Sequence, residues 1–341
     1  MNKLGSAEFE NLLLQSTRFI DVRAPVEYQD GAVPGAVNLP LLTDIERHEI
    51  GITYKSQGQS TAIELGHRLV SGSVREARLA VWMNEIKSHP NAVIYCFRGG
   101  LRSQIVQSWL TEAGVHRPII DGGYKALRSF LIQTLEILAE SLEFQVVSGP
   151  TGSGKTEYIN ASRRPFIDLE ALAQHRGSAF GSFGERQLNQ VNFENALALE
   201  LLRLKKIGEP ILIEDESRQI GYRLIPAKLF AKMQASPKLI LDIPIETRVE
   251  NIFNEYILKS KLGKQGHVSQ FDEFRNSVRA ISRKLGGTRT KDILFDLDLS
   301  QKEFEGDQSL VSNRIWIRKL LEWYYDPYYK FAMERGSKPQ K

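Results

Sequence analysis

The chain of 341 residues is 42% hydrophobic and 25% charged, with 26 Gly and 13 Pro, an ordinary globular composition with room for two domains. Disordered, collagen-like and solenoid chains are excluded; no window approaches the roughly 18 uncharged apolar residues of a membrane span, so a cytoplasmic protein without a membrane is expected. The net charge is only +4, but residues 256 to 291 carry nine Lys or Arg against two acids, so the basic character is local, as a polyanion-binding face requires.

Glycine and proline punctuate short apolar runs that alternate with helical patterns, which predicts parallel α/β units. Phe19-Ile20-Asp21-Val22 and Ala92-Val93-Ile94-Tyr95 read as buried strands, with Ile119-Ile120 a shorter third. The second strand leads into Cys96-Phe97-Arg98-Gly99-Gly100-Leu101-Arg102-Ser103 and then a helix whose Ile105, Val106, Trp109 and Leu110 share one face, ended by Gly114. Cys96 is the only cysteine, which excludes an intrachain disulfide and a multi-cysteine metal site. Arg98, Gly99, Gly100 and Arg102 are expected to form an anion cradle, because two glycines let backbone N–H groups turn inward beside a helix N-terminus. Such a cradle favours a thiolate and stabilises an anion carried on, or attacked by, the sulfur. The plain alternative is a buried inert thiol, which needs neither two arginines nor two glycines. Cys, five residues, Arg, Ser also fits the phosphatase signature, so the loop alone leaves phosphoryl transfer open beside sulfur or selenium transfer.

After Asp121-Gly122-Gly123 a helical pattern through Leu127, Phe130, Leu131, Leu135 and Leu138 places a domain boundary near residue 140, giving domains 1–135 and 140–341. Strands are expected at 144 to 148, 211 to 214 and 239 to 243. Gly149-Pro150-Thr151-Gly152-Ser153-Gly154-Lys155-Thr156 follows the first of these and fits the Walker A pattern in full. Gly149, Gly152, Ser153 and Gly154 would bring backbone N–H groups onto a diphosphate, Lys155 would neutralise phosphate charge, and Thr156 could ligate magnesium. The partner acid is expected in Ile211-Leu212-Ile213-Glu214-Asp215-Glu216, with Glu214 and Asp215 both open as the metal-holding residue and a merely solvated acidic loop as the alternative. Such a loop recognises a diphosphate, which need not belong to ATP.

From Glu246 the pattern is mainly helical, with Phe271, Phe274, Val278, Ile281 and Leu285 at 3,4,3,4 spacing. Arg275, Arg279 and Arg283 recur beside that stripe and, with Lys259, Lys261, Lys264, Lys284, Arg289 and Lys291, form the candidate face for a nucleic-acid backbone, the alternative being an ordinary solvated helix face. Trp323-Tyr324-Tyr325-Asp326-Pro327-Tyr328-Tyr329 reads first as an aromatic clasp packing the C-terminus, with base stacking or binding of an apolar chain as the other options. The fold class is therefore an α/β parallel-sheet domain followed by a P-loop NTPase-like α/β domain with a helical C-terminal extension.

Ile20-Asp21-Val22-Arg23-Ala24-Pro25-Val26-Glu27-Tyr28 and Gly31-Ala32-Val33-Pro34-Gly35-Ala36-Val37-Asn38-Leu39-Pro40 closely resemble the N-terminal signature of rhodanese domains, over about residues 5 to 130. The resemblance implies that Asp21, Arg23 and Glu27 organise the sheet edge and that Cys96 carries a persulfide or its selenium analogue. With the Walker loop, the strings Asp168-Leu169-Glu170, His175-Arg176-Gly177-Ser178-Ala179-Phe180-Gly181, Glu214 to Gly221 and Asp121 to Lys125 resemble the tRNA 2-selenouridine synthase family over nearly the whole length. Membership implies a two-step reaction on the wobble 2-thiouridine of tRNA: geranylation of the sulfur from geranyl diphosphate, then exchange for selenium from selenophosphate via Cys96. It also implies a partner that supplies selenophosphate and no tightly bound cofactor; magnesium is a candidate ion on the phosphate loop's own chemistry. His175, Arg176 and Arg218 are candidates for substrate phosphate, metal or tRNA contacts, or else solvated side chains. The rival readings are an ATP-dependent tRNA sulfurtransferase or kinase, and a nucleotide-gated RNA-binding protein whose cysteine loop is vestigial.

Overall fold

In the computed structural model, which describes residues 2–15, 17–175, 187–258 and 264–336, the apolar runs assemble into two separate parallel sheets. The first contains β1 (Lys3–Leu4), β2 (Phe19–Asp21), β3 (Val37–Asn38), β4 (Val93–Tyr95) and β5 (Ile119–Ile120), in the order β1-β5-β4-β2-β3. Every pair is parallel, with Ile20 opposite Ile94 and Asp21 opposite Tyr95. Continuous apolar strands suit a sheet covered on both faces, and Ile20, Ile94, Val106, Leu110 and Ile119 form its dry core. Buried at the edge of this core, Arg23 donates to both carboxylate oxygens of Asp21 and to the Gly31 carbonyl, with its guanidinium 4.1 Å from the Tyr124 ring centroid. This pair shapes the turn after β2 from inside, as the rhodanese resemblance implies for it.

The helix Asp44–Leu69 begins with a capping box, Thr43 accepting from the Glu46 backbone and Glu46 reaching back to Thr43. Its regular geometry is interrupted at Gly58, whose φ of 84° only glycine adopts without strain.

The first compact unit comprises Met1–Ser141 together with Leu188–Lys206, and the second comprises Leu142–Gln187 with Ile207–Lys341. The helix Gln190–Leu204, which the sequence boundary leaves in the second domain, therefore lies with the first. It packs on the helix Gly123–Ser141, and Asn195 is buried where it donates to the Ala32 carbonyl and accepts from Arg128.

In the second unit β6 (Phe144–Ser148), β7 (Phe166–Ile167) and β8 (Ile211–Glu214) are followed by a small antiparallel hairpin, β9 (Gln219–Ile220) and β10 (Arg223–Leu224), and then by β11 (Lys238–Ile240). The parallel order is β11-β6-β8-β7. Beyond it Phe271, Phe274, Val278, Ile281 and Leu285 are all buried, in a core shared with Ile293, Leu297 and Trp316, as their spacing predicts. The helix ends at Ala280 instead of continuing to Leu285; residues Ser282–Leu285 form a separate turn closed by Gly286. No helix among the described residues is long and apolar enough to cross a membrane.

Candidate functional site

The Cys96 loop leaves β4 in the first unit and enters the helix Leu101–Glu112. Its seat is the Gly122-Gly123 turn: Tyr124 and Lys125 donate backbone N–H bonds to the carbonyls of Cys96 and Phe97. Gly123 has φ of 58°, and a Cβ there would lie 2.3 Å from the Cys96 carbonyl oxygen; one on Gly99 would lie 2.5 Å from that of Ile120. The two glycines interlock loop and turn, a role for Gly123 that sequence reading missed although the glycine pair was its visible signal. Gly123→Ala is expected to displace the loop and cut any reaction at Cys96 at least roughly tenfold, with the phosphate-loop unit unaffected. Comparison of thiol alkylation rates in variant and parent checks this, and equal rates would rule it out.

Cys96 is buried, with Sγ 3.3 Å from Ser103 Oγ and 3.9 Å from the Gly100 carbonyl. Gly100 precedes the helix as its N-cap. Arg98 is exposed, its guanidinium 5.9 Å from the Phe97 ring centroid. Arg102 corrects the sequence expectation: its guanidinium makes a bidentate pair with Glu27 at 2.5 and 3.0 Å, where Arg47 joins at 3.1 Å, so its charge is spent on a carboxylate and not on an anion at the sulfur. Burial alone would raise the Glu27 carboxyl, but the Arg102 and Arg47 charges outweigh it and hold it below its ordinary value.

The second candidate site is the phosphate loop. Gly152 and Gly154 have φ of 80° and 76°, and a Cβ on Gly149 would lie 2.5 Å from Ser153 Oγ, so all three positions require glycine. Lys155 opens the helix Lys155–Ala161 and donates to the Gly149 carbonyl at 3.2 Å. Outside the loop, Arg248 donates to Thr151 and Asn251 to Gly152, and Arg248 is itself paired with Asp326.

Because β6 and β8 are neighbours in register, with Val147 opposite Glu214, their ends emerge together and bring Glu214 to the loop. Thr156 Oγ1 donates to Glu214 Oε1 at 2.6 Å. Asp215 is otherwise engaged, accepting from Ser148 Oγ at 2.5 Å and from Lys238 at 3.0 Å. Of the two acids left open by sequence, Glu214 is the one facing the loop threonine. Its Oε2, like Ser153 Oγ, is buried without a hydrogen-bond partner among the described residues.

Glu214, Glu216, Glu170 and Lys155 line one cavity of about 760 Å³, with the exposed Arg218 at its border. Burial first, then Glu170, pushes the Glu214 carboxyl up to about 8 against the Thr156 hydrogen bond. The same two causes push Glu216 up to about 7 against the pull of Lys155. Since the folded Glu214 pKa exceeds its ordinary 4.5, its contribution to stability is complete below pH 4.5 and lost as pH rises through 8. Glu214→Gln keeps the neutral form, so the fall in Tm between about pH 5 and pH 9 should shrink by roughly 5 °C; an unchanged pH slope in scanning calorimetry would count against the buried carboxyl.

The wall opposite the loop comes from the C-terminal region. Two wide π-helical turns, Phe253–Leu258 and Leu321–Tyr325, place Tyr256 and Tyr325 in it, and Tyr329 reaches Ser148 Oγ at 3.2 Å. The aromatic run is thus a clasp, with Tyr324 against Tyr325 and Tyr328, and also part of the cavity. His175 is placed against Gly221, where a Cβ would meet its ring at 2.6 Å, which joins two of the recognised strings in one packing contact. Arg176 and the string to Gly181 lie outside the described residues.

Of the candidate basic face, Arg279, Arg283 and Lys284 are exposed, with Lys284 Nζ 4.9 Å from the Tyr328 ring centroid. Arg275 departs from the stripe, since Asp272, Asp298 and Gln301 hold it in a half-buried network. Lys259 and Lys261 lie outside the described residues, as does the side chain of Lys264.

A family profile described as the tRNA 2-selenouridine synthase AAA domain matches residues 142–340, and a rhodanese-like domain profile matches residues 6–129. The tRNA 2-selenouridine synthase of Nitrosomonas europaea is 43% identical, the alignment covering 97% of this chain and 93% of that protein. Those of Bdellovibrio bacteriovorus and Cupriavidus necator are 46% and 45% identical, covering 96% and 97% of this chain and 92% of each relative.

Proposed function

The chain belongs to the tRNA 2-selenouridine synthase family, and from that premise we propose that it converts the wobble 2-thiouridine of tRNA to 2-selenouridine in two steps divided between its units. In the second unit the sulfur attacks C1 of geranyl diphosphate; the C1–O bond breaks and pyrophosphate leaves. In the first unit the Cys96 thiolate attacks the phosphorus of selenophosphate and the P–Se bond breaks; the selenide released in the loop attacks C2 of the base, geranyl thiol leaves, and water then frees phosphate from the sulfur. Alkylation makes the second step feasible because a geranyl thiol departs far more easily than sulfide. With tRNA as substrate and an enzyme that makes selenophosphate as supplier, the reaction belongs in the cytoplasm.

The observation that carries the geranyl assignment is the amphiphilic character of the phosphate-loop cavity. Its polar end is the loop, Ser153 and Lys155, suited to a diphosphate. Its other end is bounded by the apolar and aromatic side chains of Ile252, Tyr256 and Tyr325, which also border a small apolar pocket of about 30 Å³ beside Phe274, Trp316 and Leu321. A diphosphate ester with a hydrocarbon tail matches both ends at once. Backbone N–H groups of the loop and the Lys155 ammonium would stabilise charge as it develops on the departing pyrophosphate.

Magnesium fits this loop: Glu214 Oε2 is buried and unpaired, Thr156 Oγ1 is beside it, and the crowded carboxylates gain from a cation. Thr156 and Glu214 would hold it, with diphosphate oxygens and water completing its shell, and it would neutralise leaving-group charge. The exposed Arg279, Arg283 and Lys284 supply phosphate contacts for the RNA.

Nucleoside mass spectrometry tests the proposal on 2-thiouridine tRNA incubated with the protein and geranyl diphosphate, with and without selenophosphate. A geranylthio product that passes to 2-selenouridine only with selenophosphate is expected. ATP consumption with neither product formed would replace this reading by the ATP-dependent sulfurtransferase.

A further inference from the structure

The first unit has a cavity of its own, about 590 Å³, between the helix Asp44–Leu69 and the first turns of the helix that follows the Cys96 loop. That volume is ordinary for a small-molecule site. Its interior is hydrocarbon, set by Leu42, Ile50, Ile63, Ile105 and Trp109. Leu41, Leu42, Val70 and Trp109 belong at the same time to the cluster that packs around Cys96, and Leu101 and Arg102 on its wall begin the helix directly after the cysteine loop. Cavity and thiol loop are therefore two sides of one structural element.

The border has a different character. Arg47, Lys55 and Arg102 lie there with Glu27, the one acid of the lining, which pairs with both Arg47 and Arg102, so the border keeps a net positive charge. Two large apolar side chains on the same border, Ile52 and Tyr54, are 55% and 57% exposed, so the apolar lining continues to the surface instead of being covered by the fold. A dry interior behind a cationic rim suits a hydrocarbon chain attached to a polyanion.

We propose that this cavity holds the prenyl chain of the alkylated 2-thiouridine while its base is presented to the Cys96 loop. The inference rests on the geranylthio intermediate of the reading above and adds a specificity device to it. The chain, and not the base, distinguishes activated from unactivated RNA, so selenium exchange is confined to bases that already carry a leaving group.

The test uses the full-length protein and anticodon stem-loop RNAs bearing 2-thiouridine, its S-methyl form or its S-geranyl form. Affinity for the S-geranyl RNA is expected to exceed that for the S-methyl RNA by at least roughly tenfold, the extra hydrocarbon being buried. Ile52→Asp and Tyr54→Ser alter exposed positions that the core does not need, and each should remove most of that preference. In the complete reaction both should accumulate geranylthio RNA and make 2-selenouridine more slowly. Retention of the preference and of the exchange rate by both variants would overturn the proposal while leaving the geranyl reading intact. Loss of the preference in Tyr325→Ala of the second unit, but not in Ile52→Asp, would also overturn it by moving the chain to the phosphate-loop cavity. If the unaltered protein makes no geranylthio product and does not discriminate the two RNAs, the underlying reading fails and this inference with it.

Discussion

Cys96→Ser should abolish formation of 2-selenouridine while leaving geranylthio RNA to accumulate at the unaltered rate. The substitution is nearly isosteric, and a serine hydroxyl can keep the contact that Sγ makes with Ser103 Oγ at 3.3 Å, so the buried site should retain its fold and Tm. What disappears is the proposed nucleophile: a serine hydroxyl is not ionised near neutral pH and cannot attack the phosphorus of selenophosphate as a thiolate can. A loss of roughly a thousandfold or more in exchange is expected, as for removal of a covalent nucleophile. In the proposed division, geranylation is assigned to Lys155, Thr156 and Glu214, which lie in the other compact unit. Nucleoside mass spectrometry of time courses separates the two steps. Disappearance of both products together would refute the division of labour, and continued 2-selenouridine formation would remove Cys96 from the chemistry.

Much of this arrangement was legible because it is local. A strand followed by Gly149 to Thr156 dictates a phosphate loop at whatever place in the fold it sits, and the 3,4,3,4 spacing from Phe271 fixes a buried face. What was not legible is which distant group meets a given charge. Arg102 reads as part of an anion cradle until Glu27, far upstream, is seen to take both its N–H groups; Arg275 reads as part of an RNA stripe until Asp298 arrives from the next helix. The choice between Glu214 and Asp215 depends on the parallel register of β6 and β8, which aims one side chain at Thr156 and leaves the other to Ser148 and Lys238. The helix Gln190–Leu204 carries an obvious apolar face, but periodicity says that a face is buried and not against what, so its place in the first unit could not be read. The cavity role of Tyr325 and Tyr329 stood in the sequence only as an alternative to the clasp, although Asp326 in the middle of the aromatic run was a further usable signal: it anchors Arg248, which in turn grips the phosphate loop.

Lys155→Ala should weaken geranyl diphosphate roughly 10- to 100-fold, the usual consequence of losing a hydrogen bond to a charged group, and slow geranylation at least as much. The loop itself should survive, because Gly149, Gly152 and Gly154 set its path and Arg248 and Asn251 hold its outer edge. The electrostatic loss is large because the cavity is otherwise acidic. Lys238 on its wall is committed to Asp215, whereas Glu170 raises the pKa of both Glu214 and Glu216, and Lys155 is the charge that opposes this at Glu216. Without it a diphosphate must enter a carboxylate-rich site with backbone N–H groups, Ser153 and the bordering Arg218 among its remaining donors. Two readouts separate binding from the rest of the reaction: a titration with geranyl diphosphate, and turnover of RNA supplied already geranylated, which should become 2-selenouridine at the unaltered rate. Unchanged affinity in the titration would take the phosphate loop out of diphosphate recognition. Slowed turnover of the geranylated RNA would mean that Lys155 serves the Cys96 step as well, and that the two sites do not act in sequence as independent halves.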